Sequence, residues 1–248
     1  MIKHYLTFLI TLSLTISFGQ TYNEKYGQPV IVLIETDPWL MVIGSDTPTF
    51  ALYENGQIIY RKTIDNSYKY FEINYDSEKT QDLIYSFGIT GDLMSLSDYI
   101  DSSDRTDQPT NILILNFDIL REINVYGNLR DKKSEARDKT PKEYLMVYDN
   151  ILKFEDKSAK EWIPEAIEVM ATNYNHSPEK PLKWNSDWND INSPTTIKRN
   201  DFLYSIYLEK KYFDDFIKLL SKLKQKQAVE INGTKYSLTY RLPFPNIK

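Results

Sequence analysis

Residues 30–35 form an apolar run closed by Glu35 and rich in β-branched side chains, the pattern of a strand buried on both faces. Pro38-Trp39 interrupts it, and residues 40–43 predict a second short strand. FALYENGQIIYRK carries the clearest local signal. Its apolar runs at 49–53 and 57–61 flank Asn55-Gly56, a pair that tolerates the positive φ angles of a two-residue hairpin turn. Residues 68–75 alternate Tyr68, Tyr70 and Glu72 against Lys69, Phe71 and Ile73, which predicts another strand. Asp76 then stands as a cap before a helix to about Phe87, with Leu83, Ile84 and Phe87 on one side.

After Gly91 a polar loop leads to runs at 111–118 and 120–126 that read as an antiparallel pair, followed by a charged linker at 128–139. Thr140-Pro141-Lys142-Glu143 has the composition of a capping box with Pro at the first helical position. The helix it opens carries Tyr144, Leu145, Tyr148, Ile151 and Leu152 to about Phe154. Residues 167–174 read as a strand and 175–200 as a long loop rich in Asn, Pro, Ser and Trp. The pattern then gives a strand at 202–208 and a helix with Tyr212, Phe213, Phe216, Ile217, Leu220 and Leu223 on one face. A second hairpin turns at Asn232-Gly233. At an offset of 133 residues, 70–87 aligns with 203–220, so that Ile73, Asp82 and Ile84 meet Ile206, Asp215 and Ile217. Two diverged strand–helix–hairpin modules sharing one sheet would explain this, and so would chance recurrence of a common pattern. The fold class expected is α+β, mainly antiparallel sheet with two to four helices.

The N-terminus fits none of these patterns. MIKHY precedes an apolar stretch of twelve, LTFLITLSLTIS, and Ser17-Phe18-Gly19 places small residues where signal peptidase prefers them. The stretch is too short for a membrane helix, which needs about 20 residues. Residues 1–19 are therefore expected to be a secretory signal peptide cleaved near Gly19. Residues 20–248 would then form one secreted α+β domain, with sub-halves at 20–128 and 141–248. The expected location is the periplasm or the exterior of a bacterium, with no transmembrane segment in the mature chain.

Composition narrows the chemistry. The formal charge is -5 over 248 residues, which argues against a chain-wide nucleic-acid surface. It is unevenly spread: residues 20–128 hold seven basic and seventeen acidic side chains, whereas 195–248 hold eleven and five. The absence of Cys excludes disulfides, thiolate nucleophiles and thiolate metal sites. After cleavage His176 is the one imidazole, in the turn-like string Asn175-His176-Ser177-Pro178, so a Ser-His-Asp enzyme would have to use it. No G-x-S-x-G elbow, Walker loop or dinucleotide fingerprint can be written, and no cofactor is expected. Asp98, Asp101, Asp104 and Asp107 recur every third residue; such a loop could hold Ca²⁺, but it lacks the EF-hand order, and a solvated acidic loop is the ordinary case. No metal site is assigned.

KWNSDWNDIN supplies the candidate ligand site, Trp184, Asp187, Trp188 and Asp190. Exposed indoles beside carboxylates and amides can stack on a sugar ring and bond its hydroxyls. The competing reading is a loop pinned to the core by its two indoles. The strings FALYENGQIIY, DQPTNILILNF, INVYG, EWIPEAIEV and YRLPFP together resemble an uncharacterised family of bacterial secreted proteins and lipoproteins, over most of 29–245. Lipidated members would carry Cys at the cleavage site, where this chain has Gln20, so the resemblance implies a released form. It implies no activity and carries over no catalytic residue. The reading that follows is a non-enzymatic binding or interaction protein with a protein or glycan partner. The alternative is a carboxylate-based hydrolase acting on glycans.

Overall fold

β-branched runs become sheet wherever both faces find cover. The computed structural model describes residues 22–39, 46–65 and 67–247. The expected signal peptide and the strand expected at 40–43 lie outside these residues. The first sheet is built from β1 (Pro29–Glu35), β2 (Phe50–Tyr53), β3 (Gln57–Ile64), β4 (Ser67–Asn74), β5 (Tyr99–Asp101), β6 (Thr110–Asn116), β7 (Leu120–Tyr126) and β8 (Lys160–Glu161). Its order is β5-β7-β6-β1-β2-β3-β4-β8, antiparallel except for the β5–β7 pair. β1 lies centrally and is covered on both sides, as its apolar run requires: Ile31 and Leu33 face one core and Val32 the other.

The outer core sits under α1 (Ser77–Phe87), α2 (Gly91–Met94), α3 (Glu135–Lys139) and α4 (Lys142–Lys153). Phe87, Leu93, Tyr144, Val147, Tyr148 and Ile151 pack there on Ile31, Leu33, Phe50, Leu52, Ile58 and Tyr60. Asp76 caps α1 as expected, accepting from the Lys79 N–H at 2.9 Å, and Gly88 closes it in the left-handed region. α2 and α3 are single turns inside segments that read as loop and linker, too short for a periodic pattern to reveal them. The capping box does not form. Thr140 ends α3 instead, and its buried hydroxyl bonds Ala136 O at 2.7 Å and Ser102 Oγ at 2.9 Å, so α4 starts from Pro141 without a side-chain cap.

A second sheet holds β9 (Ala166–Asn173), β10 (Leu182–Lys183), β11 (Ile197–Lys198), β12 (Leu203–Glu209), β13 (Val229–Ile231) and β14 (Thr234–Arg241), in the order β10-β13-β14-β9-β12-β11. α5 (Phe213–Ser221) buries Phe216 against it. The fold is α+β, with three helices of nine residues or more and two single turns among the described residues. No described helix is long and apolar enough to cross a membrane. Both copies of the suspected repeat are strand followed by helix, β4–α1 and β12–α5. They lie in different sheets, however, so the expectation of one shared sheet is corrected. α4 packs on the first sheet, and β8 pairs with β4 within it.

The two sheets share a core. Val32, Ala51, Tyr53, Ile59 and Tyr70 from the first meet Trp162, Phe244 and the apolar face of the second, including Val169, Ala171 and Ile206. The chain after β14 returns across the first sheet: Leu242 and Phe244 are buried, Tyr53 Oη donates to Pro245 O at 2.9 Å, and the Asn246 side chain bonds Asn23 and Gly27.

Candidate functional site

A cleft of about 950 Å³ opens between the two sheets. One wall is the start of β4 (Ser67, Tyr68, Lys69, Tyr70) with Trp162 and Ile163; the opposite wall is Phe213, Tyr240, Arg241 and Leu242. Glu35, Arg61 and Arg130 lie between, and Asp37, Trp39, Asp46 and Asp107 border the mouth.

Glu35 ends the apolar run of β1, so its carboxylate is drawn into the protein by the strand that carries it. Thr49 Oγ1 donates to it at 2.8 Å, Arg61 Nη2 at 2.9 Å, Tyr148 Oη at 2.6 Å, and Arg130 through Nε and Nη2 at 2.8 and 2.7 Å. Burial pushes this carboxyl up, but the hydrogen bonds and charge of Arg130, with Tyr148 and Thr49, outweigh it and hold it below the ordinary value. The Arg61 guanidinium also lies over the Tyr68 ring, 4.1 Å from its centre. Behind the other wall Glu168 is arranged alike: it accepts from Ser205 Oγ and Arg241 Nε at 2.6 Å each and from Arg199 Nη2 at 3.1 Å. Its burial is likewise outweighed, by Ser205, Arg241 and Arg199, and its carboxyl is held low.

Every cation of the cleft thus holds a carboxylate: Arg61 and Arg130 hold Glu35, Arg241 holds Glu168, and Lys69 faces Glu161 at 3.6 Å. Asp37, Asp46 and Asp107 lack an ion pair within 4.0 Å among the described residues. Asp46 differs from the buried glutamates. Burial raises its carboxyl and the Asp37 charge adds to this, against the Asp37 N–H at 2.8 Å and the nearby Arg241 charge. At the rim Trp39 and Tyr68 are exposed over 74% and 62% of their surfaces.

Trp184, Asp187, Trp188 and Asp190 lie away from this cleft. The indoles of Trp184 and Trp188 meet edge to face at 4.9 Å and both pack on Phe216; Trp188 is buried, and Trp184 Nε1 donates to Asn189 O at 3.0 Å. Asp190 is occupied by Asn192, Ser193 and Asn232, while Asp187 is exposed. This is the geometry of a loop anchored by its indoles. His176 is exposed, its ring edge-on to Tyr174. Asp98 and Asp104 pair with Arg121 and Lys139 at 2.8 and 2.6 Å, and no group able to hold a metal occurs among the described residues.

Sequence reasoning passed over Glu35, Arg61 and Arg130. The one available signal was an acid closing a fully apolar strand, which needs a buried partner. No protein-family model, curated protein or solved structure matches the chain.

Proposed function

We propose that this chain is an exported, non-enzymatic binding protein whose ligand occupies the cleft between its two sheets. The observation that carries this is a cleft near the upper end of the usual range for ligand pockets, with each of its arginines already ion-paired to a buried glutamate of the protein. A carboxylate that accepts from four side chains is built to hold a wall in place, not to take a proton from a substrate. The rings left open at the rim, Trp39 and Tyr68, suit recognition by stacking. Export rests on the N-terminal pattern, and mass spectrometry of the mature protein should give Gln20 as its first residue. An intact Met1 on exported material would refute that part.

Trp39 serves as a reporter. A ligand from a glycan or peptide library that enters the cleft should shift the tryptophan emission to shorter wavelength, and Trp39→Phe should abolish the change while Trp184→Phe preserves it. Ligands that bind equally well after Trp39→Ala and Tyr68→Ala would place the site elsewhere and overturn the reading.

Asp46 favours a second reading. A carboxyl that borders the cleft and is raised above its ordinary value by burial and by the Asp37 charge has one property of the general acid that glycan hydrolysis needs. Glycan turnover abolished by Asp46→Asn, with binding retained, would establish it. Turnover absent from wild type across a glycan panel would remove it.

A further inference from the structure

We propose that the cleft takes an extended peptide, added as a further strand to the open edge of β4; this rests on the binding reading above and names its ligand class. β4 is paired with β3 over its whole length, from Gln57↔Asn74 to Ile64↔Ser67. On its other edge β8 covers only Phe71 and Glu72. One more bond follows, from the Trp162 N–H to Tyr70 O at 2.8 Å, and the chain then leaves through Pro164, which has no N–H to give.

Main-chain groups along a strand point alternately to its two edges. Since Tyr70 O points outward to Trp162, the N–H and C=O of Tyr68 point the same way, and no described residue pairs with them. Exposed edges are ordinarily blunted by Pro, a bulge or a covering loop. Here the edge is not hidden on a convex surface but forms one wall of the cleft, where Ser67, Tyr68, Lys69 and Tyr70 all line the space. A peptide is the ligand that offers N–H and C=O groups at strand spacing, and its alternate side chains would fall toward and away from the cleft.

Charge indicates which peptide. The cations of the cleft are each matched to a carboxylate, whereas Asp37, Asp46 and Asp107 have no ion pair among the described residues. The lining holds five carboxylates (Glu35, Asp37, Asp46, Asp107, Glu161) against four cations (Arg61, Lys69, Arg130, Arg241), a slight excess of negative charge with the unpaired acids on the Asp37, Asp46 and Asp107 side, so the peptide is one with Lys or Arg side chains spaced among apolar ones.

The test uses random displayed peptides against the mature chain, with Tyr68→Pro and Tyr68→Ala in parallel. Proline removes the outward N–H of an edge strand and leaves the β3 ladder untouched, whereas Ala removes only the ring. Enrichment of basic peptides whose affinity falls about tenfold or more in Tyr68→Pro, but much less in Tyr68→Ala, is the expected result. To separate lost binding from a folding defect of the proline variant, the selected peptide is N-methylated at successive positions. Loss of binding at the one position whose N–H meets the Tyr68 carbonyl, with tolerance at its immediate neighbours, supports strand addition, and uniform tolerance overturns it. Peptides that bind Tyr68→Pro as well as wild type overturn the edge but leave the cleft as a binding site. A glycan that depends on Trp39, with no peptide enriched, overturns the peptide and keeps the binding reading. Absence of any ligand that depends on the cleft overturns both.

Discussion

Glu35 is only 8% exposed at its side chain, so its charge is solvated by protein donors and not by water. Removing the charge while keeping the shape leaves Arg61 and Arg130 facing a neutral amide. Glu35→Gln should therefore lower stability by about 3 kcal/mol in urea unfolding at neutral pH. Because the folded carboxyl titrates below its unfolded value of 4.5, its contribution is complete above that pH and fades as pH falls through the lower folded value. Wild type should lose stability steeply on acidification below about 4.5, and Glu35→Gln should flatten that slope. Two glycines separate conformational from steric need. A Cβ on Gly233 would meet open space, so Gly233→Ala should cost only about 1 kcal/mol for its positive φ. A Cβ on Gly56 would lie 2.0 Å from the Tyr75 carbonyl oxygen, and Gly56→Ala should lower the melting temperature far more. The candidate site was poorly legible in the sequence for a related reason. Arg61, Arg130 and Tyr148 stand 26, 95 and 113 positions from Glu35, and local spacing carries nothing about such a meeting. The two indoles were a local pattern, and a local pattern could be read two ways until Phe216 was seen beneath them.

At the scale of elements, strands and long helices were legible because burial imposes a period on them. β1, the two hairpins, α1, α4 and α5 all follow their apolar patterns. The turns show how far such reading reaches. Asn232-Gly233 is a two-residue loop, closing on Ile231↔Thr234 with both φ angles positive. The Asn55-Gly56 turn, alike in letters, instead has Glu54 as a third loop residue: Leu52 pairs with Ile58, Gly56 N–H bonds Tyr53 O at 3.0 Å, and only Gly56 is left-handed. Register, set by packing on both faces of β2, decides between them. The strands β10 and β11 have two residues each and exist only because a neighbouring strand offers a ladder. α4 shows an element held by one polar bond in an apolar seat. Tyr144 Oη donates to Asn111 O at 2.7 Å from a fully buried ring. Tyr144→Phe should cost about 1 kcal/mol, and thermal unfolding of the pair would measure it.

At the scale of the molecule, the two sheets are joined by aromatic packing at the returning C-terminal stretch. Phe244 contacts Trp162 and Tyr70 at ring-centre distances of 5.0 and 5.8 Å. Wild type should unfold in one calorimetric transition. Phe244→Ala, which removes a fully buried ring, should cost about 3–5 kcal/mol and separate the melting of the two sheets. A single transition at an unchanged temperature would show that the sheets are coupled elsewhere. Part of the basic C-terminal charge is used locally: Lys198, Lys211 and Lys218 pair with Asp201, Glu209 and Asp215, their near neighbours. That return of the chain also sets a clock. Tyr53 waits for Pro245, its partner 192 positions further on. While the chain is being made, Trp162, Val169, Ala171 and Ile206 become available to the inner face of the first sheet well before its last cover, Leu242, Phe244 and the Pro245 carbonyl, has followed. A polypeptide whose earliest strands receive their final seal from residues emitted much later closes its longest loop last, and is therefore slow to lock.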